Sequence, residues 1–337
     1  MQDEPVIHVR GCSKHFRIHR KAAGLRGSVR SLFDRQWTAV EALTGVDLDV
    51  AEGEILGLVG ANGAGKTTLV KILSGIIHPD AGQVRVLGHN PWRRHNDFRS
   101  RIALIMGQKA QLWWDLPAGD CFLLLREIYR IPRDAFQTRL DELAGTLQVG
   151  ELLTTQIRRL SLGERMKMEL VATLLHQPRV IFLDEPTIGL DLTAQRAIRQ
   201  FLLDYNQRYR PAMIVTSHYM EDIKSLCRRI VIIKKGRIVY DGSLALVVSD
   251  HIRHRVMNVE LSPNGRHRAG SADAPIPSEI GRVLARDGDS LRLQIPRERA
   301  AAAVQYMFDR FEVADLEIEE DDISTVIESL QSEDPGP

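Results

Sequence analysis

Apolar positions in this chain come in short runs, and their spacing changes from strand-like to helical several times. Near the start, "PVIHVRG" alternates as a strand does. "EALTGVDLDVAEGEILGLVG" reads as two strands broken by a turn at Glu52-Gly53, and a glycine-rich loop leads straight into an apolar helix, "KTTLVKILSGI". "GQVRVLGHNP" and "RIALIM" are further strands. From there the spacing turns helical through "CFLLLREIYRI" and "RDAFQTRLDELAGTLQV", which predicts a helical insertion over about 109–165. "RVIFLDEP" is apolar without alternation, as expected for a strand buried on both faces of a parallel sheet. The helix "AQRAIRQFLLDYNQRY" separates it from another strand, "AMIVTSH". Strand–helix alternation of this kind predicts a parallel α/β core. After Asp241-Gly242 the character changes. The expected division is 1–245 and 246–337, the second part being a small β/α appendage with the helix "RERAAAAVQYMFDRF".

A length of 337 residues suits about two domains. The formal net charge of +1 carries no overall nucleic-acid signature, but its distribution is uneven. Between Lys14 and Arg35 the only acid is Asp34, which marks a basic insertion over about 17–37. Within it Leu25, Val29, Leu32 and Phe33 fall on helical spacing, with Arg26 and Arg30 on an adjoining face. That pattern fits either a short basic helix at an anionic membrane surface or a solvated basic loop. No apolar run approaches the length of a membrane-spanning helix, and the first residues are not those of a signal peptide. Cys12, Cys121 and Cys227 are far apart and in no paired pattern, so buried free thiols are expected. The chain reads as soluble and cytoplasmic.

The strongest chemical signal is "GANGAGKT", residues 60–67, which has the spacing of a phosphate loop and lies between a strand and a helix. Gly60, Gly63 and Gly65 let the backbone wrap phosphate oxygens with N–H groups turned inward, and Ala61, Asn62 and Ala64 complete the loop. Lys66 is placed to meet the β- and γ-phosphates of a nucleotide, with the Thr67 hydroxyl on Mg2+ and Thr68 beside it. Asp184, ending the buried strand, is a second candidate for Mg2+. Glu185 would face the γ-phosphate and orient or deprotonate the attacking water. One stretch is ambiguous by itself. In "LSLGERMKMEL" Ser161 and Glu164 form the S-x-x-E pattern of a capping box, so the segment reads as an ordinary helix start or as an exposed helix end meant for an anion.

Taken together, the phosphate loop, "LSLGER" and "IFLDEPTIGLD" resemble the ATP-binding cassette (ABC) superfamily over roughly residues 5–245. The resemblance implies a P-loop NTPase fold of class α/β: a parallel core, an antiparallel β subdomain and a helical subdomain. It also implies that two cassettes close head-to-tail. Ser161, Gly163 and the helix end, with Glu164, would then contact ATP held by the second copy. Leu162 stands where the family has a glycine and Glu164 where it has a glutamine. Gln108 matches the family's Mg2+-binding glutamine, with Gln111 a near neighbour. Asp191 resembles the residue that crosses between cassettes, and His218 the histidine that contacts the γ-phosphate. Phe16 matches the aromatic that stacks on adenine, with Trp37 as the alternative platform.

"SHYMEDIKSLCRRIVIIKKGRIVYDGSL" and the tail "DLEIEEDDISTVIESL" resemble the ATPases of drug, lipid and polysaccharide exporters whose permeases are separate chains. The expected partners are a second copy of the chain and membrane permease subunits, at the cytoplasmic face of the membrane, with no nucleic acid. Trp113 and Trp114 are either one core and one partly exposed residue or part of the groove that receives a permease helix. The rival class is a soluble cassette ATPase acting on ribosomes or nucleic acid. The paired cassettes or long coiled coils of such members are absent from this sequence. For the C-terminal appendage, regulation or dimer contact is expected ahead of cargo binding.

Overall fold

The computed structural model describes residues 5–19, 37–106, 111–217, 219–251, 254–262 and 276–320. Two units form, residues 1–242 and 243–337. In the first, β1 (Ile7–His19), β2 (Trp37–Val50) and β3 (Ile55–Val59) lead to α1 (Lys66–Leu73). β4 (Ala81–Val86), the single turn α2 (Asn96–Arg99) and β5 (Ile102–Met106) come next, followed by α3 (Ala118–Tyr129), α4 (Arg133–Thr146) and α5 (Leu162–Leu174). The chain then alternates: β6 (Val180–Asp184), α6 (Leu192–Tyr209), β7 (Ala212–Thr216), α7 (Met220–Leu226), β8 (Arg229–Lys234) and β9 (Arg237–Ser243).

Every residue of β6 and β7 is buried, because helices cover both faces of their sheet and leave no position for a polar alternation. The strand order is β5-β6-β7-β3-β8-β9, with β5, β6, β7, β3 and β8 paired in parallel. Parallel pairing brings the carboxyl ends of these strands to one edge, where open α/β sheets bind ligands. Asp184 pairs with Thr216, and Thr216 pairs with Leu58, one residue from the end of β3. Three strand ends therefore stand in line.

A second sheet, β2-β1-β4, is antiparallel. Its Ile7, Val9, Leu43 and Leu48 share one apolar core with Leu56 and Leu58 of the parallel sheet and Leu69 and Leu73 of α1. This core fixes the antiparallel sheet beside the loop that follows β3. The basic insertion is narrower than its composition suggests: β1 runs on to His19 and β2 begins at Trp37. Two-residue alternation continues through Phe16 and Ile18, which pair with Val40 and Thr38, so Arg17 lies in the strand despite its charge. The rest of the insertion, with Leu25, Val29, Leu32, Phe33, Arg26 and Arg30, lies outside the described residues.

The second unit contains α8 (Leu244–His251), β10 (His254–Leu261), β11 (Arg282–Asp287), β12 (Ser290–Pro296), α9 (Ala300–Arg310) and β13 (Val313–Glu320). Its sheet runs β11-β12-β10-β13, all antiparallel. Alternate residues Leu291, Leu293 and Ile295 of β12 pack with Met257 and Val259 against Ala303 and Met307 of α9. Cys12, Cys121 and Cys227 are buried free thiols, with burial pushing Cys12 up to about 11 and Cys227 to about 12. Among the described residues no helix is long and apolar enough to cross a membrane.

Candidate functional site

The loop from Gly60 to Gly65 joins β3 to α1 and closes on itself through Ala64 N–H to the Ala61 carbonyl, 3.1 Å. Two of its glycines are sterically required. A Cβ on Gly60 would lie 2.3 Å from the carbonyl oxygen of Ile233, and one on Gly65 would lie 2.5 Å from that of Ala42. Gly65 also has φ +117°, in the region that favours glycine. It caps α1 with no side chain, so the first N–H groups of that helix meet no capping side chain. Ala61, Asn62 and Gly63 are exposed, while Ala64 and Lys66 are buried and Thr67 and Thr68 half-buried. Lys66 Nζ donates to the carbonyls of Gly60 (2.5 Å) and Ala61 (3.2 Å), which holds the ammonium at the loop. Burial lowers the Lys66 pKa, and the negative charges of Glu185 and Asp184 partly offset that.

Asp184 ends β6 beside this loop. Its Oδ2 accepts from the Thr67 hydroxyl at 3.1 Å and its Oδ1 from the Thr216 hydroxyl at 2.5 Å. Thr67 and Asp184 thus place a hydroxyl and a carboxylate side by side, and hard oxygen donors of this kind suit Mg2+. Glu185 follows with φ +57°, an unusual backbone for a residue with a side chain. Its N–H meets both the carbonyl (3.0 Å) and the hydroxyl (3.2 Å) of Thr216, so β7 holds the strained turn in place. Sequence reasoning did not single out Thr216. It lies inside a quoted strand, but a threonine at a strand end gives no signal until the register sets it opposite Asp184.

The second part of the expected site is built on α5. Ser161 Oγ accepts from Glu164 N–H at 3.3 Å, and the Glu164 carboxylate accepts from Ser161 N–H at 2.8 Å, so both halves of the capping box form. The bonds to Ser161 hold the Glu164 carboxyl below its usual range. Arg165 does not pair with Glu164 here: its guanidinium lies over the Trp114 ring, 5.3 Å from the centroid. Ser161 and Leu162 are exposed, and Gly163 is half-buried. The loop of Asp191 packs beside them. A Cβ on Gly163 would touch Ala194 Cβ at 3.4 Å, and one on Gly189 would meet Leu162 at 3.1 Å. Asp191 is the N-cap of α6, accepting from Ala194 N–H at 2.8 Å.

Phe16 is half-buried in β1 across from Val40, two residues before the Ala42 carbonyl that meets Gly65. Trp37 begins β2 opposite His19. Gln108 and His218 lie outside the described residues. Gln111, their described neighbour in the first case, has a different task. Its side chain donates to the Leu104 carbonyl of β5 at 2.5 Å, while its backbone N–H donates to Glu169 of α5 at 2.8 Å. Glu169 also accepts from Leu112 N–H at 3.2 Å. Burial raises its pKa, and its Oε2 has no partner among the described residues. This carboxylate fixes the start of the segment carrying Trp113 and Trp114, which are both exposed, at 43% and 51%.

A phosphate loop set against an acidic strand end on a parallel sheet defines a nucleotide-binding α/β ATPase core. Residues 43–188 match the ABC transporter family, and residues 253–319 match the EvrA-like ABC transporter C-terminal domain. The ABC transporter ATP-binding protein NatA of Bacillus subtilis is 28% identical over 63% of this chain and 86% of its own length. The daunorubicin/doxorubicin resistance ATP-binding protein DrrA of Streptomyces peucetius is 26% identical over 87% of this chain and 89% of its own. The fold is similar to the dimeric ATP-binding cassette MJ0796 bound to ADP and Pi, with TM-score 0.58 at 21% identity, covering 71% of this chain and 98% of that one. Residues 43–188 are therefore an ABC transporter ATP-binding cassette, of a family that hydrolyses ATP.

Proposed function

We propose that the chain powers export through separate membrane permease subunits, working as a head-to-tail pair of cassettes. The observation that carries this reading is the pairing of the loop around Gly65 with Asp184 and Glu185 at one sheet edge, together with an exposed helix end at Ser161. ATP in the loop would lie along the N–H groups of residues 60–68, with Lys66 against its β- and γ-phosphates and Phe16 or Trp37 against the base. Thr67, Asp184 and Gln108 would hold Mg2+, which supplies charge neutralisation on those phosphates when bound. Glu185 takes the proton of the attacking water, and His218 contacts the γ-phosphate. Ser161, Gly163 and Glu164 of the second copy cover the same phosphate, and Asp191 crosses the seam.

Support for a permease partner comes from the exposed Trp113 and Trp114. A groove of about 460 Å3 lies between β5 and the end of α3, lined by Arg99, Met106, Gln111 and Tyr129 among others. Trp113 and Trp114 do not line this groove, but aromatic residues left exposed as they are suit an interface centre. The similarity to transporter ATP-binding proteins, one of them a drug-resistance protein, favours transport over action on ribosomes or nucleic acid. Contact between the basic insertion and an anionic membrane surface belongs to the same proposal, as does regulation or dimer contact by residues 246–337.

The test uses Glu185→Gln, which should turn over ATP about two to four orders of magnitude more slowly while still binding it. With saturating ATP and magnesium this variant should double its mass by light scattering, alone or with the permease chains that co-purify from membranes. A monomer under both conditions sinks the dimer reading. Recovery with ribosomes instead of membrane proteins sinks the transport reading.

A further inference from the structure

Behind Glu185 lies a buried carboxylate that the scheme above does not use. Asp222, on α7, is fully buried and receives three side-chain donors from three different segments. Thr187, two residues after Glu185, donates its hydroxyl to Asp222 Oδ2. Ser217, which ends the β7 run, donates to the same oxygen at 2.6 Å. Arg199 of α6 donates to Oδ1 at 2.8 Å as a buried ion pair. The Ser217 hydroxyl also accepts from Tyr219 N–H at 2.9 Å, so it bridges the two residues that flank position 218.

We propose that Asp222 is a positioning residue that sets the Glu185 turn and the end of β7, which holds that turn, in one shared arrangement. The geometry around Glu185 motivates this. Its φ of +57° has to be held from both sides, because such a backbone persists only when its surroundings over-determine it. On the near side Thr216 holds it, through Asp184 and through the Glu185 N–H. On the far side the first side-chain anchor is Thr187 on Asp222. The same carboxylate oxygen takes Ser217, so a shift of one segment must be felt by the other. Arg199 gives the carboxylate a charge partner, which allows it to sit at full burial. A purely structural role would need only the Arg199 pair to lock α7 to α6. The two hydroxyls on the remaining oxygen, one two residues after Glu185 and the other next to the Thr216 that holds the Glu185 N–H, are what that role leaves unexplained.

The inference rests on the reading of Glu185 as general base, and the test separates the two. Asp222→Ala would leave Arg199 buried without its carboxylate and is expected to unfold, so the two hydroxyl arms are removed singly in the full chain. Thr187→Val and Ser217→Ala should each lower kcat for ATP by about ten- to a hundredfold, the range expected for a misplaced catalytic group. KM and the affinity for a fluorescent ATP analogue should stay within about threefold. Thr187→Ser, which keeps the hydroxyl, should restore turnover. In a Glu185→Gln background neither change should slow the residual rate further, since both act through Glu185. Wild-type kcat in both single variants beside a slow Glu185→Gln overturns the assignment of Asp222 alone. So does a lowered melting temperature with unchanged kcat, or a full further slowing in the Glu185→Gln background. Undiminished turnover in Glu185→Gln overturns the general-base reading itself.

Discussion

The N-termini of α1 and α5 are both placed for phosphate in the proposed cycle, yet the molecule finishes them in opposite ways. At α1 the cap is Gly65, which brings no side chain, and the helix's first N–H groups are left to whatever enters the loop. At α5 the chain satisfies two N–H groups itself, through the Ser161 hydroxyl and the Glu164 carboxylate, and adds a negative charge. An uncapped end favours an anion by both its N–H groups and its partial charge; a capping box uses up part of the first and opposes the second. The difference assigns unequal shares. In the proposed cycle the α1 loop would hold nucleotide by itself, and the α5 end would add a weaker contact, useful only when a second cassette supplies the phosphate. Glu164, in place of the family's glutamine, would make that second contact weaker still.

Gly65→Ala should do the most damage to this contrast. Its Cβ would press on the Ala42 carbonyl, and the residue would sit at φ +117°, a strain of about 1–3 kcal/mol before the clash is counted. Titration with a fluorescent ATP analogue should show no saturable binding, and normal binding would break the assignment to α1. Lys66→Ala comes next, lowering kcat/KM by about a hundred- to a thousandfold through loss of the cation at the phosphates. Gly163→Asp probes the other end. Cooperative ATP hydrolysis should disappear while analogue binding stays measurable, and full turnover would remove α5 from the site. The smallest effect belongs to Glu164→Gln, which should raise turnover by less than about threefold by removing a charge that opposes the anion. Its stability effect depends on pH in a defined direction. The Glu164 carboxyl is lowered in the folded chain, so its contribution is complete above the ordinary glutamate range and is lost as pH falls through the lowered value. Melting curves of the two proteins should differ at neutral pH and converge in acid.

Much of this site is written locally. The phosphate loop is eight consecutive residues, Asp184 and Glu185 end an apolar run, and the Ser161–Glu164 box has a fixed spacing. Each could be read because one segment carries the whole signal. Thr216, Glu169 and Asp222 could not, because their meaning arises when distant segments close on one another. Thr216 matters through its register with Asp184, and Glu169 through the backbone of Gln111 and Leu112, 58 and 57 positions away. An acid on an amphipathic helix looks solvated in sequence, yet Asp222 is fully buried among Thr187, Ser217 and Arg199. The same limit explains the insertion boundary. Charge counted along the chain marked Arg17 as the start of the insertion, whereas strand pairing continues to His19.

His19 and Trp37 are partners in register, so β1 ends and β2 begins at adjoining points of the antiparallel sheet. A two-residue turn spans such a gap in ordinary hairpins. The length of chain joining these two strand ends can therefore change across evolution while Phe16 keeps its place opposite Val40.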